Sequence, residues 1–222
     1  MAETLLREIT LGQMLDEAVA ARHDNEAVVY LARDFRLTYQ EFGEVVDRLA
    51  RGLMALGIKK GEKVAIWATN VPYWIALQFA TAKIGAVLLT VNTYYKKSEL
   101  QYLLQQSEAE NLVLIDGFRD TDYIQVTYEL IPELKTQQRG ELRSYTFPHL
   151  KRVVFLGQEK HRGMYTIPEI MALSQTISAT AYAERQATLD PHDVVNMQYP
   201  SGTTGFPKGV MLTHYNIGNN GF

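Results

Sequence analysis

The sequence predicts an α/β fold: a doubly wound, mostly parallel sheet with helices on both faces. Three observations carry this. Short apolar runs alternate with stretches of helical spacing along almost the whole chain. The run at residues 86–91 is apolar but for Thr90, as expected of a strand covered on both sides. The helical stretches begin at side chains suited to capping and several stop at glycine.

Taken in order, Thr10 caps a helix whose apolar positions Leu11, Met14, Leu15, Ala18 and Val19 follow helical spacing. Residues 27–31 read as a strand, Arg33-Asp34 as a turn, and residues 35–37 as a second strand. Thr38 and Glu41 form a capping-box pair opening a helix with Phe42, Val45, Val46, Leu49 and Leu53 on one face and Gly57 as its stop. A strand at 64–68 precedes a helix for which Asn70 is the cap and Pro72 the early proline, ending at Gly85. After the strand at 86–91, Asn92-Thr-Tyr-Tyr-Lys96 is a loop. Ser98 and Gln101 make the next capping pair, and residues 111–115 the next strand. Residues 119–131 read as helix up to Pro132, and 135–144 as exposed loop. A strand at 152–156, helices at 167–174 and 179–187, and strands at 194–199 and 210–213 complete the pattern, with a last helix from near His214.

Composition excludes several classes. At 222 residues with 46% hydrophobic and 21% charged content, the chain is an ordinary globular sequence with ample length for a core. A net charge of −3 gives no general attraction to nucleic acid or to an anionic membrane. There is no cysteine, hence no disulfide or thiolate chemistry, and the expected location is cytoplasmic. The N-terminus has no signal-peptide pattern, and no apolar run approaches a membrane span. The basic doublets Lys59-Lys60 and Lys96-Lys97 read as solvated loop ends. The five histidines lack zinc-ligand spacing and read as surface or cap residues; no metal ligand and no catalytic residue is assigned. Ser201 is outside a G-x-S-x-G elbow, and Asp116-Gly-Phe118 lacks the His-Arg-Asp loop of a kinase. Tyrosines and the Trp67/Trp74 pair lie on no basic stripe and read as packing.

The informative stretch is Met197-Gln-Tyr-Pro-Ser-Gly-Thr-Thr-Gly-Phe-Pro-Lys-Gly209. Gly202 and Gly205 allow backbone conformations closed to other residues. Ser201, Thr203 and Thr204 supply hydroxyls and Lys208 a cation, so the loop is suited to a polyphosphate. It is not a P-loop. Pro207 precedes the lysine, Gly209 stands where a magnesium-binding Ser or Thr would be, and strands are expected on both sides. In a doubly wound sheet such a loop falls beyond the carboxyl ends of the strands, where ligands bind.

Ser201-Gly-Thr-Thr-Gly-Phe-Pro-Lys-Gly209 resembles the signature of the adenylate-forming acyl-activating enzymes. Leu37-Thr-Tyr-Gln-Glu-Phe42 and Ala82-Lys-Ile-Gly-Ala-Val-Leu-Leu89 resemble two earlier blocks of that family, in family order. One departure is Pro200, where the family has Thr or Ser. With Gln198-Tyr199, Phe206 and Val210-Met-Leu-Thr-His-Tyr-Asn216, the likeness is greatest to medium- and long-chain fatty acid–CoA ligases. The resemblance implies a carboxylic acid, ATP with Mg²⁺, and coenzyme A as substrates and cofactors. It implies that Ser201, Gly202, Thr203, Thr204, Gly205 and Lys208 hold the ATP phosphates. It also implies that residues 1–190 form an N-terminal α/β subdomain and that 191–222 open the next one, with the phosphate loop at 199–209. The family's later motifs do not occur, so the 222 residues are expected to be inactive alone. The competing reading is a non-enzymatic nucleotide- or partner-binding α/β module.

Overall fold

The computed structural model of the protein describes residues 6–200 and 208–221. Thr10 caps α1 (Leu11–Arg22) through a reciprocal box with Gln13. A hairpin of β1 (Glu26–Tyr30) and β2 (Phe35–Thr38) follows, turned at Asp34 in the left-handed conformation. Thr38 and Glu41 form the expected box on α2 (Tyr39–Ala55), whose buried face carries Phe42, Val46, Leu49 and Leu53.

Next come β3 (Lys63–Trp67), α3 (Pro72–Ile84), β4 (Val87–Thr90), α4 (Lys97–Ser107) and β5 (Asn111–Leu114). Gly85 closes α3 at φ 72°, a conformation that other residues adopt at a cost. Two expected caps move. Val71, not Asn70, is the N-cap of α3; its apolar side chain accepts no bond, and Pro72 leaves one fewer amide to satisfy. At α4 the partners are Lys96 and Glu99, not Ser98 and Gln101: the Glu99 carboxylate accepts from Lys96 N–H at 2.7 Å.

The helix expected over 119–131 is also shorter. Residues 117–122 form a small hairpin, β6 (Gly117–Phe118) and β7 (Thr121–Asp122), turned at Arg119 with φ 54°. Helix α5 (Tyr123–Leu130) starts only where Asp122 accepts from Gln125 N–H. Then come β8 (Arg152–Phe155), β9 (Met164–Thr166), α6 (Ile167–Leu173), α7 (Ala179–Ala187), β10 (Val194–Gln198), β11 (Val210–Thr213) and α8 (His214–Asn220).

The main sheet has seven strands in the order β11-β10-β4-β3-β5-β8-β9. Every pair is parallel except β10 with β11. Val64–Trp67 and Leu112–Leu114 are buried on both faces. Helix α2 packs on α3 and α6, and α4 on α5. With right-handed crossovers these two groups cover opposite faces of the sheet. The fold is therefore the doubly wound α/β class expected. From β3 the chain steps to β4 on one side and then to β5 on the other, so the winding reverses between β3 and β5.

The amino edge of the sheet is tied by charge. Glu62, just before β3, accepts from Lys151 at 2.7 Å and Arg152 at 3.2 Å at the start of β8. Burial opposes its ionisation, yet these cations hold its carboxyl below the usual range. That leaves the carboxyl edge for ligands.

Candidate functional site

Strand β10 lies parallel beside β4, with Asn196 opposite Leu88 and Met197 opposite Leu89. Strand β11 returns antiparallel along it, with Gln198 opposite Val210 and Met197 opposite Met211. The end of β10 and the start of β11 therefore sit on the carboxyl edge of the sheet. Of the expected phosphate ligands, Ser201, Gly202, Thr203, Thr204 and Gly205 lie outside the described residues, and Lys208 lies within them. Lys208 is exposed just ahead of β11 and has no carboxylate partner among the described residues. An exposed cation on this edge suits a phosphate oxygen.

Gly209 has a local cause that the sequence did not disclose. A Cβ there would stand 3.1 Å from the Tyr199 ring and 3.2 Å from the Met197 sulfur. Glycine thus lets Tyr199 close across the exit of the loop. Burial raises the Tyr199 phenol pKa, and the phenols of Tyr102 and Tyr95 raise it further.

At the winding reversal, an open crevice of about 1020 Å³ lies beyond the ends of β3, β5 and β8, bordered by Asn70, Asp116 and Gly157. Arg119 lines it with its guanidinium 4.9 Å from the Tyr94 ring centre and 5.5 Å from that of Phe118. This is a ligand-sized space in the position the topology predicts. Asp116-Gly-Phe118 leads from the end of β5 into the β6–β7 hairpin.

Two features at the base of the hairpin were missed. Lys60, expected to be a solvated loop end, pairs with Asp193 at 2.7 Å and donates to Thr188 O at 2.6 Å. Burial opposes the Asp193 charge, but the Lys60 ammonium holds its carboxyl below the usual range. His214, expected at the surface or as a cap, is fully buried. Its Nδ1 accepts from Leu11 N–H at 3.1 Å, so it does cap a helix, though a remote one. Burial pulls its pKa down to about 4; Asp193 pushes the other way and Lys60 adds to the depression. No local pattern announces either contact.

Among the described residues no cluster of three His, Cys, Asp or Glu is placed to hold a metal ion. No helix among them is long and apolar enough to cross a membrane.

Residues 15–222 match the family model described as AMP-binding enzyme. The chain belongs to the AMP-binding enzymes. It is 48% identical over 211 residues to YngI of Bacillus subtilis (strain 168), provisionally named an acyl-CoA synthetase, covering 95% of this chain and 38% of that protein. It is 36% identical over 216 residues to the mitochondrial medium-chain acyl-CoA ligase ACSF2 of Homo sapiens, covering 97% of this chain and 35% of the relative. Among solved structures, the long-chain-fatty-acid-CoA ligase FadD1 of Archaeoglobus fulgidus superposes with a TM-score of 0.71 at 23% identity, covering 96% of this chain and 38% of the other. Acetoacetyl-CoA synthetase of Streptomyces lividans gives 0.74 at 23% identity, covering 95% and 31%. These structures share the fold. The chain spans little more than a third of the curated relatives it matches. The family resemblance carried by residues 201–209 and the two earlier blocks is thereby established for this AMP-binding chain, whose curated relatives are acyl-CoA synthetases and ligases.

Proposed function

We propose that the protein carrying this chain activates a carboxylic acid as its adenylate and passes the acyl group to coenzyme A. The observation that carries this is Lys208, exposed on the carboxyl edge at the exit of the signature loop and without a carboxylate partner among the described residues. A carboxylate oxygen attacks the α-phosphorus of ATP, the bond to pyrophosphate breaks, and an acyl-adenylate forms. The thiol of coenzyme A then attacks the acyl carbon and AMP leaves. Lys208, with Ser201, Gly202, Thr203, Thr204 and Gly205, holds the β- and γ-phosphates and neutralises the departing pyrophosphate. This is stabilisation by charge already in place. Bound Mg²⁺ would add charge neutralisation on the phosphate oxygens. We assign it no ligand on this chain.

The acid is a medium- or long-chain fatty acid on this reading, supported by residues 198–199, 206 and 210–216 and by the names of the relatives. The crevice beside Arg119 has room for one of the organic substrates. We further propose a subdomain boundary near residue 190, where Asp190–Asp193 makes a turn closed by Asp193 accepting from Asp190 N–H at 2.8 Å. The 222 residues by themselves are proposed not to complete the reaction. The test is acid-dependent exchange of labelled pyrophosphate into ATP by the complete gene product. Exchange with fatty acids of medium or long chain is expected. None with any fatty, aryl or amino acid would leave the non-enzymatic module as the reading.

A further inference from the structure

The arm that leaves the signature loop is weakly held along its length. Strand β11 is the edge strand of the sheet, with Val210 44% and Met211 61% exposed, so little core packing fixes it. Its restraints are the ladder to β10 and whatever holds its far end. That end is His214.

His214 gathers three segments. Its backbone N–H donates to Asp193 O at 3.3 Å, and the next amide, Tyr215 N–H, donates to Pro191 O at 2.8 Å, tying the arm to the base of β10. Its Nδ1 accepts from Leu11 N–H, the first amide of α1. An amide in the first turn of a helix has no acceptor within its own helix. The Thr10 hydroxyl is already engaged with Gln13 N–H, so the imidazole serves Leu11 from outside. The remainder of α8 seats on the same N-terminal segment. Asn219 exchanges two bonds with the Arg7 backbone, at 2.7 and 3.0 Å, and a Cβ on Gly218 would stand 2.8 Å from the Met14 sulfur.

We infer that His214 is a positioning residue: held by the amide of Leu11, it fixes the outgoing arm and thereby the place of Lys208. This rests on the reading of Lys208 as a phosphate ligand. The bond requires Nδ1 to be unprotonated, with the proton on Nε2, which is buried without a partner. Burial disfavours a second proton on the ring.

The test uses the complete gene product and substitutions at both ends of the bond. His214→Leu removes the acceptor. His214→Asn restores one, because the amide oxygen can take the place of Nδ1. Leu11→Pro deletes only the amide donor as far as the backbone is concerned, since proline is tolerated at the first helical position. Leu11→Ala controls for the lost side chain. His214→Leu and Leu11→Pro should each raise the KM for ATP about tenfold, more than they lower kcat, the size expected for one buried bond. The double variant should add little to either single one. Leu11→Ala should fall short of Leu11→Pro, and His214→Asn should stay near wild type. Independently of catalysis, amide hydrogen exchange over 208–213 should quicken in His214→Leu and not in His214→Asn. An unchanged KM for ATP in His214→Leu would overturn the inference, as would His214→Asn failing as badly as His214→Leu. A wild type without pyrophosphate exchange would sink the activity reading instead. In that event the hydrogen-exchange contrast alone decides the positioning role, and equal exchange in the two variants refutes it.

Discussion

Lys83 and Lys208 are treated by this fold in opposite ways. Lys83, on α3, is 2% exposed and donates to Asp16 at 2.5 Å and Asp47 at 2.6 Å, on α1 and α2. Tyr182 of α7 donates to the same Asp47 at 2.9 Å, so the ammonium joins three helices and Asp47 links in a fourth. Lys208 stands exposed at the carboxyl edge and faces no carboxylate among the described residues. A buried ammonium must be paired, because stripping its water costs several kcal/mol. An exposed one can be left unpaired at no such cost, and its charge remains available to a ligand. The contrast separates a cation that holds the scaffold from one that the scaffold presents.

The largest effect should come from Lys208. In the complete gene product, Lys208→Ala should lower acid-dependent pyrophosphate exchange by about 10²–10³-fold, as for loss of one transition-state donor. The thermal midpoint should not move. Unchanged turnover with an unchanged ATP constant would erase the distinction between the two lysines.

Lys83→Met should do the reverse. Removing one member of a buried ion pair typically costs about 3–5 kcal/mol. Here Asp16 and Asp47 are 54% and 39% exposed and can rehydrate. A loss of about 2–3 kcal/mol is therefore expected, read from the denaturant midpoint. The KM for ATP of the variant that remains folded should match wild type. A Lys83→Met protein as stable as wild type would show that the network does not bind the helical layer together.

His214 lies between these extremes, buried like Lys83 yet attached to the arm that carries Lys208. Its folded pKa of about 4 is below the ordinary 6.5. The unfolded chain therefore binds the extra proton first, and stability present above pH 6.5 is lost as pH falls toward 4. The charged groups facing it are Asp193, Lys60 and Asp190. Between pH 6.5 and 5 the expected loss from this ring alone is about 1–2 kcal/mol. Urea midpoints of wild type and His214→Asn across that window measure it. Parallel curves for the two proteins would exclude His214 as the titrating group.

What was legible in the sequence is what depends on neighbours along the chain. The cap at Thr10, the box at Thr38/Glu41 and the stop at Gly85 act within a few residues and stand where expected. The central strands β3, β4, β5 and β8 were found because burial makes them apolar, whereas β9, only three residues long, was missed. The displaced starts of α3, α4 and α5 show the limit even there: several nearby side chains could cap, and backbone geometry at Val71, Lys96 and Arg119 selects among them. The strand order and the crevice at the β3/β5 reversal are not written in any local pattern. Neither is the bond between Leu11 and His214, which joins residues 203 positions apart. For the site itself, the role of Lys208 is a proposal drawn from its place after the glycines, whereas the reason for Gly209 lies in the ring of Tyr199 across the hairpin.

The smallest expected effect sits at the other arm, at Pro200. Proline there has neither the amide donor nor the hydroxyl that the family's Thr or Ser would bring to an anion site. It also restricts Tyr199 to extended backbone, which favours the strand exit. In this structure Tyr199 is already packed against Gly209 and the core, so proline adds little order that packing has not supplied. The lost donors should therefore outweigh the gained stiffness. Each neutral hydrogen bond contributes about 0.5–1.5 kcal/mol, so Pro200→Thr should tighten ATP binding by about two- to tenfold. Calorimetric titration of ATP into the two forms of the complete gene product measures the difference. Equal or tighter binding by the proline form would mean that stiffness at the exit of β10 matters more than donors, and that both arms of the loop, not only the one ending at His214, work by being held still.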